Sequence, residues 1–241
     1  MRLSIVIAVL DSPEVVRRQC LHFAAMPLPD DVELVLVDDG STHALTLPDV
    51  TPKNCGIYRH DIPAAWTQPA ARNYGVRHAS GEYLICTDID HIVTRELIDT
   101  VLRGEYDWIK FRREVAVLDE QGKIVQTEES ILSYGFEPER LRRRGFRIAP
   151  HTNSFAIRRQ LYLAVGGVSE HRVGSGKHPN REEIPLRRTL HPMADRGEIR
   201  LLDADGQRPT IYMIPNGKYC GDKDYNPFGL FHNLPRKTRV A

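Results

Sequence analysis

The first half of the chain alternates short apolar runs, at residues 3–9, 32–37, 56–59 and 83–87, with segments of helical character at 13–23, 69–79 and 95–102. This alternation constrains the fold more than any other feature. Parallel strands need crossover connections, and helices are the usual ones, so the pattern predicts a mostly parallel sheet covered by helices. Local signals agree: Ser12 is placed to cap the first helix with Pro13 at its first position, and Thr94 is placed to cap the third.

From Trp108 onward the pattern changes. Val115-Ala116-Val117-Leu118 and Ile124-Val125, joined by Glu120-Gln121-Gly122-Lys123, read as two strands and a turn, an antiparallel addition to the sheet. Further helices are expected at 138–144, at 158–165 before Gly166-Gly167, and at 183–196. After Pro215 the chain is rich in Gly, Asn, Pro and Lys, which predicts an ordered loop in place of a helix.

A chain of 241 residues can bury one large α/β core. Its 33 Lys and Arg nearly balance its 32 Asp and Glu, so no net field draws it towards nucleic acid or an anionic membrane. The opening run 3–10 has a single basic residue before it, Asp11-Ser12-Pro13 after it and no small-residue cleavage site. It is too short to span a bilayer, and its β-branched residues suit a buried strand. A soluble, cytoplasmic protein is the expectation. Cys20, Cys55, Cys86 and Cys220 are scattered, as suits free thiols in a reducing compartment.

Two acidic motifs stand at predicted strand ends. Val32 to Val37 runs into Asp38-Asp39-Gly40-Ser41, and the carboxyl edge of an open α/β sheet is where ligands bind. Tyr83-Leu84-Ile85-Cys86 runs into Thr87-Asp88-Ile89-Asp90, whose two acids, roughly 7 Å apart on an extended chain, face the same side. Such paired oxygen ligands suit Mg²⁺ or Mn²⁺, with water or diphosphate oxygens in the remaining positions.

Ser4-Ile5-Val6-Ile7, Val37-Asp38-Asp39-Gly40-Ser41, Ala71-Arg72-Asn73-Tyr74-Gly75, Gly81-Glu82-Tyr83-Leu84 and Asp88-Ile89-Asp90 occur in a characteristic order. With Gly166-Gly167-Val168-Ser169-Glu170 and Glu182-Glu183 they resemble the family 2 glycosyltransferases of the GT-A fold over residues 3–196. The resemblance implies an enzyme moving a hexose from a UDP-sugar donor to an acceptor hydroxyl, with inversion and a divalent metal, Mn²⁺ or Mg²⁺. It implies one domain at 1–214, with a nucleotide-binding half at 1–104 and an acceptor half at 105–214, and a C-terminal tail at 215–241.

Carried over position by position, the resemblance sets Asp39 against the uracil and Asp38 in support of the turn or the ribose. Arg72 would reach base or phosphate oxygens, Asp88 the ribose or the metal, and Asp90 the metal directly. Glu182-Glu183-Ile184-Pro185-Leu186-Arg187-Arg188 fits the frame of the family's basic acid pair with Glu in place of Asp, so Glu183 leads as the base and Glu182 stands in reserve. Asp11 would help hold the base without the family's aromatic stack, and Ser169 stands where an Asp is usual. His232 is the candidate for a C-terminal histidine closing the metal site. His91 and His151 are commoner as plain loop histidines, and His91 is expected to face away from Asp90.

Four alternatives stand beside this reading. A nucleotidyltransferase would carry a Gly-rich basic loop where Leu10-Asp11-Ser12-Pro13 stands, and no Gly-x-Gly-x-x-Gly supports a dinucleotide enzyme. A nucleotide-sugar-binding protein without catalysis is consistent with the departures at Ser169 and Glu183. Arg140, Arg142, Arg143, Arg144 and Arg147, set along one helix, would suit a polyanionic acceptor such as nucleic acid or lipid phosphate.

Overall fold

The computed structural model describes residues 1–64, 67–174, 182–204, 206–216 and 219–220. Its first half runs β1 (Leu3–Val9), α1 (Pro13–Ala25), β2 (Val32–Asp38), β3 (Cys55–Arg59), α2 (Gln68–His78), β4 (Tyr83–Asp88), β5 (His91–Val93) and α3 (Arg95–Leu102). Then follow β6 (Trp108–Lys110), β7 (Arg112–Val115), β8 (Val117–Leu118), β9 (Ile124–Val125), α4 (Glu128–Ser133), α5 (Pro138–Arg144) and β10 (Arg147–Ile148). The last elements are β11 (Phe155–Arg158), α6 (Arg159–Ala164), α7 (Ile184–Asp195), β12 (Leu201–Leu202) and β13 (Thr210–Met213).

Among the described residues the main sheet has the order β12-β6-β11-β4-β1-β2-β3, and β3, β2, β1 and β4 are parallel. All seven residues of β1 are buried, since helices or loops cover both faces of the central strands. The two faces support two cores. Ile5, Ile7, Leu34 and Ile85 pack with α1 and α3 on one side, and Val6, Val35, Leu84 and Cys86 pack with α2 and α7 on the other. Register fixes the geometry that matters later: Val9 is level with Asp38 and Ala8 with Asp88, so both acidic motifs emerge at the same edge, one on each side of β1.

The motif Ala71-Arg72-Asn73-Tyr74-Gly75 explains how closely α2 lies on the sheet. A Cβ at Gly75 would come within 2.6 Å of Val6 Cγ1 and 2.7 Å of Val37 Cγ2. Ala71 is fully buried on the same face. Small residues at these two positions bring the α2 backbone down and aim Arg72 and Asn73 along the sheet edge.

Several expectations change. The loop joining β8 and β9 turns as predicted, with the Asp119 carboxylate accepting from Gln121 N and Lys123 N, but these strands form a separate two-stranded sheet. The antiparallel member of the main sheet is instead β11, which pairs with β4 and β6 and ends at Arg158, so α6 starts at Arg159. A second sheet, β10-β7-β13-β5, was not foreseen, because its members are too short to show a period. Thr94 caps α3 by accepting from Leu97 N, whereas the Ser12 hydroxyl turns back to donate to Leu10 O and caps nothing. Arg147 lies in β10, outside α5, so the basic stripe is not carried by one helix, and Arg140, Arg142 and Arg143 share the two carboxylates of Glu137 and Glu139. All four cysteines are free thiols.

The tight seat of α2 predicts that Gly75→Ala destabilises the chain by about 1–3 kcal/mol through overpacking against β1 and β2. Urea unfolding followed by circular dichroism measures this, and an unchanged midpoint would contradict the close approach.

Candidate active site

Asp38 and Asp39, adjacent in sequence, do different work. Asp38 Oδ1 accepts from Ser41 N at 2.8 Å, and Oδ2 accepts from Leu45 N at 3.1 Å and from Arg59 Nη1 at 2.7 Å. Burial pushes its carboxyl up, but these hydrogen bonds and the Arg59 charge outweigh burial and hold it below the ordinary aspartate value. It therefore braces the turn, in which Gly40 supplies a positive φ of 72°. Asp39 points elsewhere. Its Oδ2 accepts from Thr67 Oγ1 at 2.9 Å, and its Oδ1 lies 3.5 Å from His60 Nδ1. The His60 ring packs on Tyr74 at 5.0 Å, so an aromatic wall stands beside this carboxylate.

Asp11 closes the same corner. With φ at 45° it lies in the left-handed region, and its carboxylate accepts from Thr42 N at 2.6 Å while its own N–H donates to Ser41 Oγ at 2.9 Å. Aspartate tolerates this backbone better than most residues do. The loops after β1 and β2 are thus tied to one another.

At the end of β4, Asp88 stands at the centre of a buried network. Its Oδ1 accepts from Arg72 Nη2 at 2.7 Å and from Gln68 Nε2 at 2.8 Å, and its Oδ2 lies 3.3 Å from His151 Nδ1. Arg72 has no exposed surface, and its Nη1 donates to Glu182 Oε1 at 2.9 Å. The fork expected to hold a nucleotide is here engaged by two carboxylates. This pairing raises the arginine's pKa against the opposing effect of burial.

Glu182 shows the other side of that balance. Burial drives its carboxyl up, Arg72 pulls it down, and the net result is a value raised to about 7. Asn153 Nδ2 also donates to Glu182 Oε1, at 3.3 Å. Glu183 occupies the N-cap of α7 without a side-chain cap bond and is as buried as its neighbour, each at 4% exposure. Asn73, next to Arg72, donates to Val168 O at 2.9 Å and to Glu170 Oε1 at 2.7 Å, fixing the loop that contains Ser169. The helix α2 therefore holds the start of α7 and the loop at Val168 to Glu170 through two successive side chains.

Asp90 and His91 meet, contrary to the expectation from strand alternation. The chain leaves β4 at Asp88 and turns through Ile89 and Asp90, so the two-residue period stops there, and His91 Nδ1 lies 2.9 Å from Asp90 Oδ1. Asp90 Oδ2 accepts from Asn216 Nδ2 at 2.7 Å. The His91 and His151 rings lie tilted at 31° with centroids 5.1 Å apart, and burial lowers the His151 pKa to about 4, so that ring is neutral.

Asp88, His91 and His151 each offer a ligand atom, all within 4.8 Å of one another. The Nδ1 atoms of both histidines are buried and close to carboxylate oxygens, yet neither contact has hydrogen-bond geometry. A carboxylate and two imidazoles so disposed fit a divalent cation. Arg113 Nη1, 3.3 Å from His91 Nε2, holds the other nitrogen of His91, which leaves His151 the less encumbered ring. Sequence alone reads both as plain loop histidines, but His91 lies buried in β5. Tertiary folding alone brings residue 151 to residue 88. His232 lies outside the described residues.

Comparisons with known proteins agree with this architecture. Residues 4–165 match the profile of Glycosyl transferase family 2. A 93-residue stretch, 37% of the chain, is 28% identical to the cellulose synthase catalytic subunit [UDP-forming] of Komagataeibacter sucrofermentans and covers 11% of it. The solved structure of S. aureus TarS 1-349 in complex with UDP-GlcNAc superposes with a TM-score of 0.55 at 14% identity, over 90% of this chain and 59% of that one. Mannosyltransferase PcManGT from Pyrobaculum calidifontis, in complex with GDP-Man and Mn²⁺, gives 0.51 at 16% identity, over 89% of this chain and 56% of that one. The chain thus spans less than two thirds of each of these relatives, and at such identities the two solved structures speak for the GT-A fold alone. With a matched profile that reaches across most of the sheet and both acidic motifs, the chain belongs to Glycosyl transferase family 2.

Proposed function

We propose that this protein transfers a sugar from a UDP-sugar to an acceptor hydroxyl, by a single inverting displacement assisted by a divalent cation. The observation that carries this reading is the convergence of Asp88, His91 and His151 at the sheet edge where Asp38 and Asp39 also emerge. TarS with UDP-GlcNAc and the UDP-forming cellulose synthase favour uridine as the base, and PcManGT with Mn²⁺ favours a metal.

In this reading Asp39, backed by His60 and Thr67, accepts from the imide of the base, and Asp11 and Asp38 keep that corner in shape. Asp88 and His151 would hold the cation, with Asp90 and His91 beside them. A cation bound there supplies positive charge that stabilises the diphosphate leaving group. Glu183 removes the acceptor's proton as that oxygen attacks the anomeric carbon, and Glu182 anchors Arg72. Held between Asp88 and Glu182, Arg72 links the donor side to the helix that bears the base.

A thermal-shift panel of nucleotide sugars with and without Mn²⁺ tests the donor. At saturation near 100 times Kd the expected gain is about 2.7 kcal/mol, seen with a UDP-sugar only when Mn²⁺ is present. His151→Gln and Asp88→Asn should each remove the metal dependence, and a shift that survives in both would refute the proposed ligands.

Turnover assays separate the two glutamates. Glu183→Gln should lower kcat by roughly 10²–10⁴-fold while UDP affinity holds. If Glu182→Gln alone abolishes turnover, and the wild-type rate has an acid limb near pH 7, the base is Glu182 instead.

Glu182 also predicts a slope of stability with pH. Its carboxyl keeps a proton up to about pH 7 in the folded chain, against an ordinary value of 4.5. The folded state binds more protons in that window, so this group's contribution to stability falls as pH rises from 4.5 to 7, by roughly 1.4 kcal/mol per unit. Urea unfolding of wild type and Glu182→Gln at pH 5 and pH 7 should give a wild-type curve that falls more steeply, and parallel curves would contradict the raised pKa.

A further inference from the structure

Between β6 and α7 lies a cavity of about 200 Å³ whose walls include Trp108, Phe155, Lys110, Arg187 and Arg208, with His151 at the end that adjoins Asp88. Among the described residues that line it, cations outnumber carboxylates: the carboxylate of Asp203 lies 2.5 Å from Lys110 Nζ and 3.6 Å from Arg208 Nη1, and Arg187 stands apart from it. Arg187 is half-buried, and among the described residues its side chain makes no hydrogen bond or ion pair.

The position of Arg187 gives the imbalance a meaning. Glu183, Arg187 and His191 follow one another at four-residue steps, so they lie along one face of α7. His191 meets the Trp108 ring edge-on at 4.9 Å and approaches Lys110 Nζ at 3.2 Å, which turns that face towards the cavity. A guanidinium partly withdrawn from water without a partner is a cost, and a neutral sugar repays little of it. A phosphate or carboxylate repays it through paired, charge-assisted hydrogen bonds. Thr152 and Ser154 add hydroxyls to the same walls.

We propose that this cavity binds the acceptor through an acidic group, a phosphate or a carboxylate, gripped by Arg187 with Lys110 and Arg208, one helical turn from Glu183. Calling the ligand an acceptor rests on the glycosyltransferase reading. The anion site itself rests on Arg187, whose half-buried side chain has no partner among the described residues. Trp108 and Phe155 provide the apolar wall against which the body of such a ligand packs.

Calorimetric titration of the full chain with glucose, glucose 6-phosphate and glucuronate tests this, with UDP and Mn²⁺ titrated in parallel. At least one of the two acidic sugars should bind about tenfold or more tightly than glucose, weakening as NaCl is raised, and the better of the two identifies the anion. Arg187→Gln, with an unchanged Tm, should erase the preference, and Arg187→Lys should restore part of it. Equal binding of all three sugars, no binding by any, or a preference that persists in Arg187→Gln would overturn the proposal. So would a matching loss of UDP affinity in Arg187→Gln, which would assign the cavity to the donor's diphosphate. If wild type binds an acidic sugar but no UDP, the anion site stands and the glycosyltransferase reading falls.

Discussion

A guanidinium with no exposed surface ties this molecule together. Arg72 leaves α2 and donates to Asp88 on the sheet side and to Glu182 beside α7, so the ends of two elements far apart in sequence are held by one planar group. Removing one partner of such a pair leaves a buried charge uncompensated, typically at a cost of 3–5 kcal/mol. The surrounding sequence serves this placement. Gly75 and Ala71 bring α2 onto the strands, Gln68 shares Asp88, and Asn73 secures the loop with Val168 and Glu170. An arrangement of this kind makes the acidic edge and the start of α7 parts of one electrostatic unit.

The first half of the chain was legible in the sequence because its strands are long enough to show a period and its motifs are local. Leu3–Val9 and Arg95–Leu102 are observed with the bounds that pattern alone assigns, and the two acidic motifs leave the sheet at one edge because parallel register puts them there. The second half was not legible to the same degree. Strands of two to four residues, such as Arg147–Ile148 and Phe155–Arg158, have no measurable period and are defined by their neighbours. Turn chemistry misled in one place: Ser12 has the right identity and position for a cap, but its hydroxyl serves the left-handed corner at Asp11.

The site was readable in its acids and not in its imidazoles. Asp38, Asp39, Asp88 and Asp90 follow apolar runs and so announce a strand end, whereas His60 and His151 lie in loops whose destination no spacing reveals. Family resemblance sets Arg72 against the nucleotide, and the fold adds two carboxylate partners that no motif announces. Resemblance transfers the identity of a residue more safely than its partners, since partners depend on the entire local packing.

The reversal of β11 has a consequence for how such a scaffold can change. Because β11 runs against β4, with Phe155 level with Cys86 and Arg158 level with Tyr83, its beginning rather than its end lies at the acidic edge. The segment that enters it, with His151, Asn153 and Ser154, is thereby delivered to the same rim as the loops that leave the parallel strands. A parallel strand in that slot would send this segment to the far side of the sheet. Antiparallel insertion thus gives the molecule a rim built from two independent stretches of chain, and the later stretch can be lengthened or rewritten while the strands that hold Asp39 and Asp88 stay as they are.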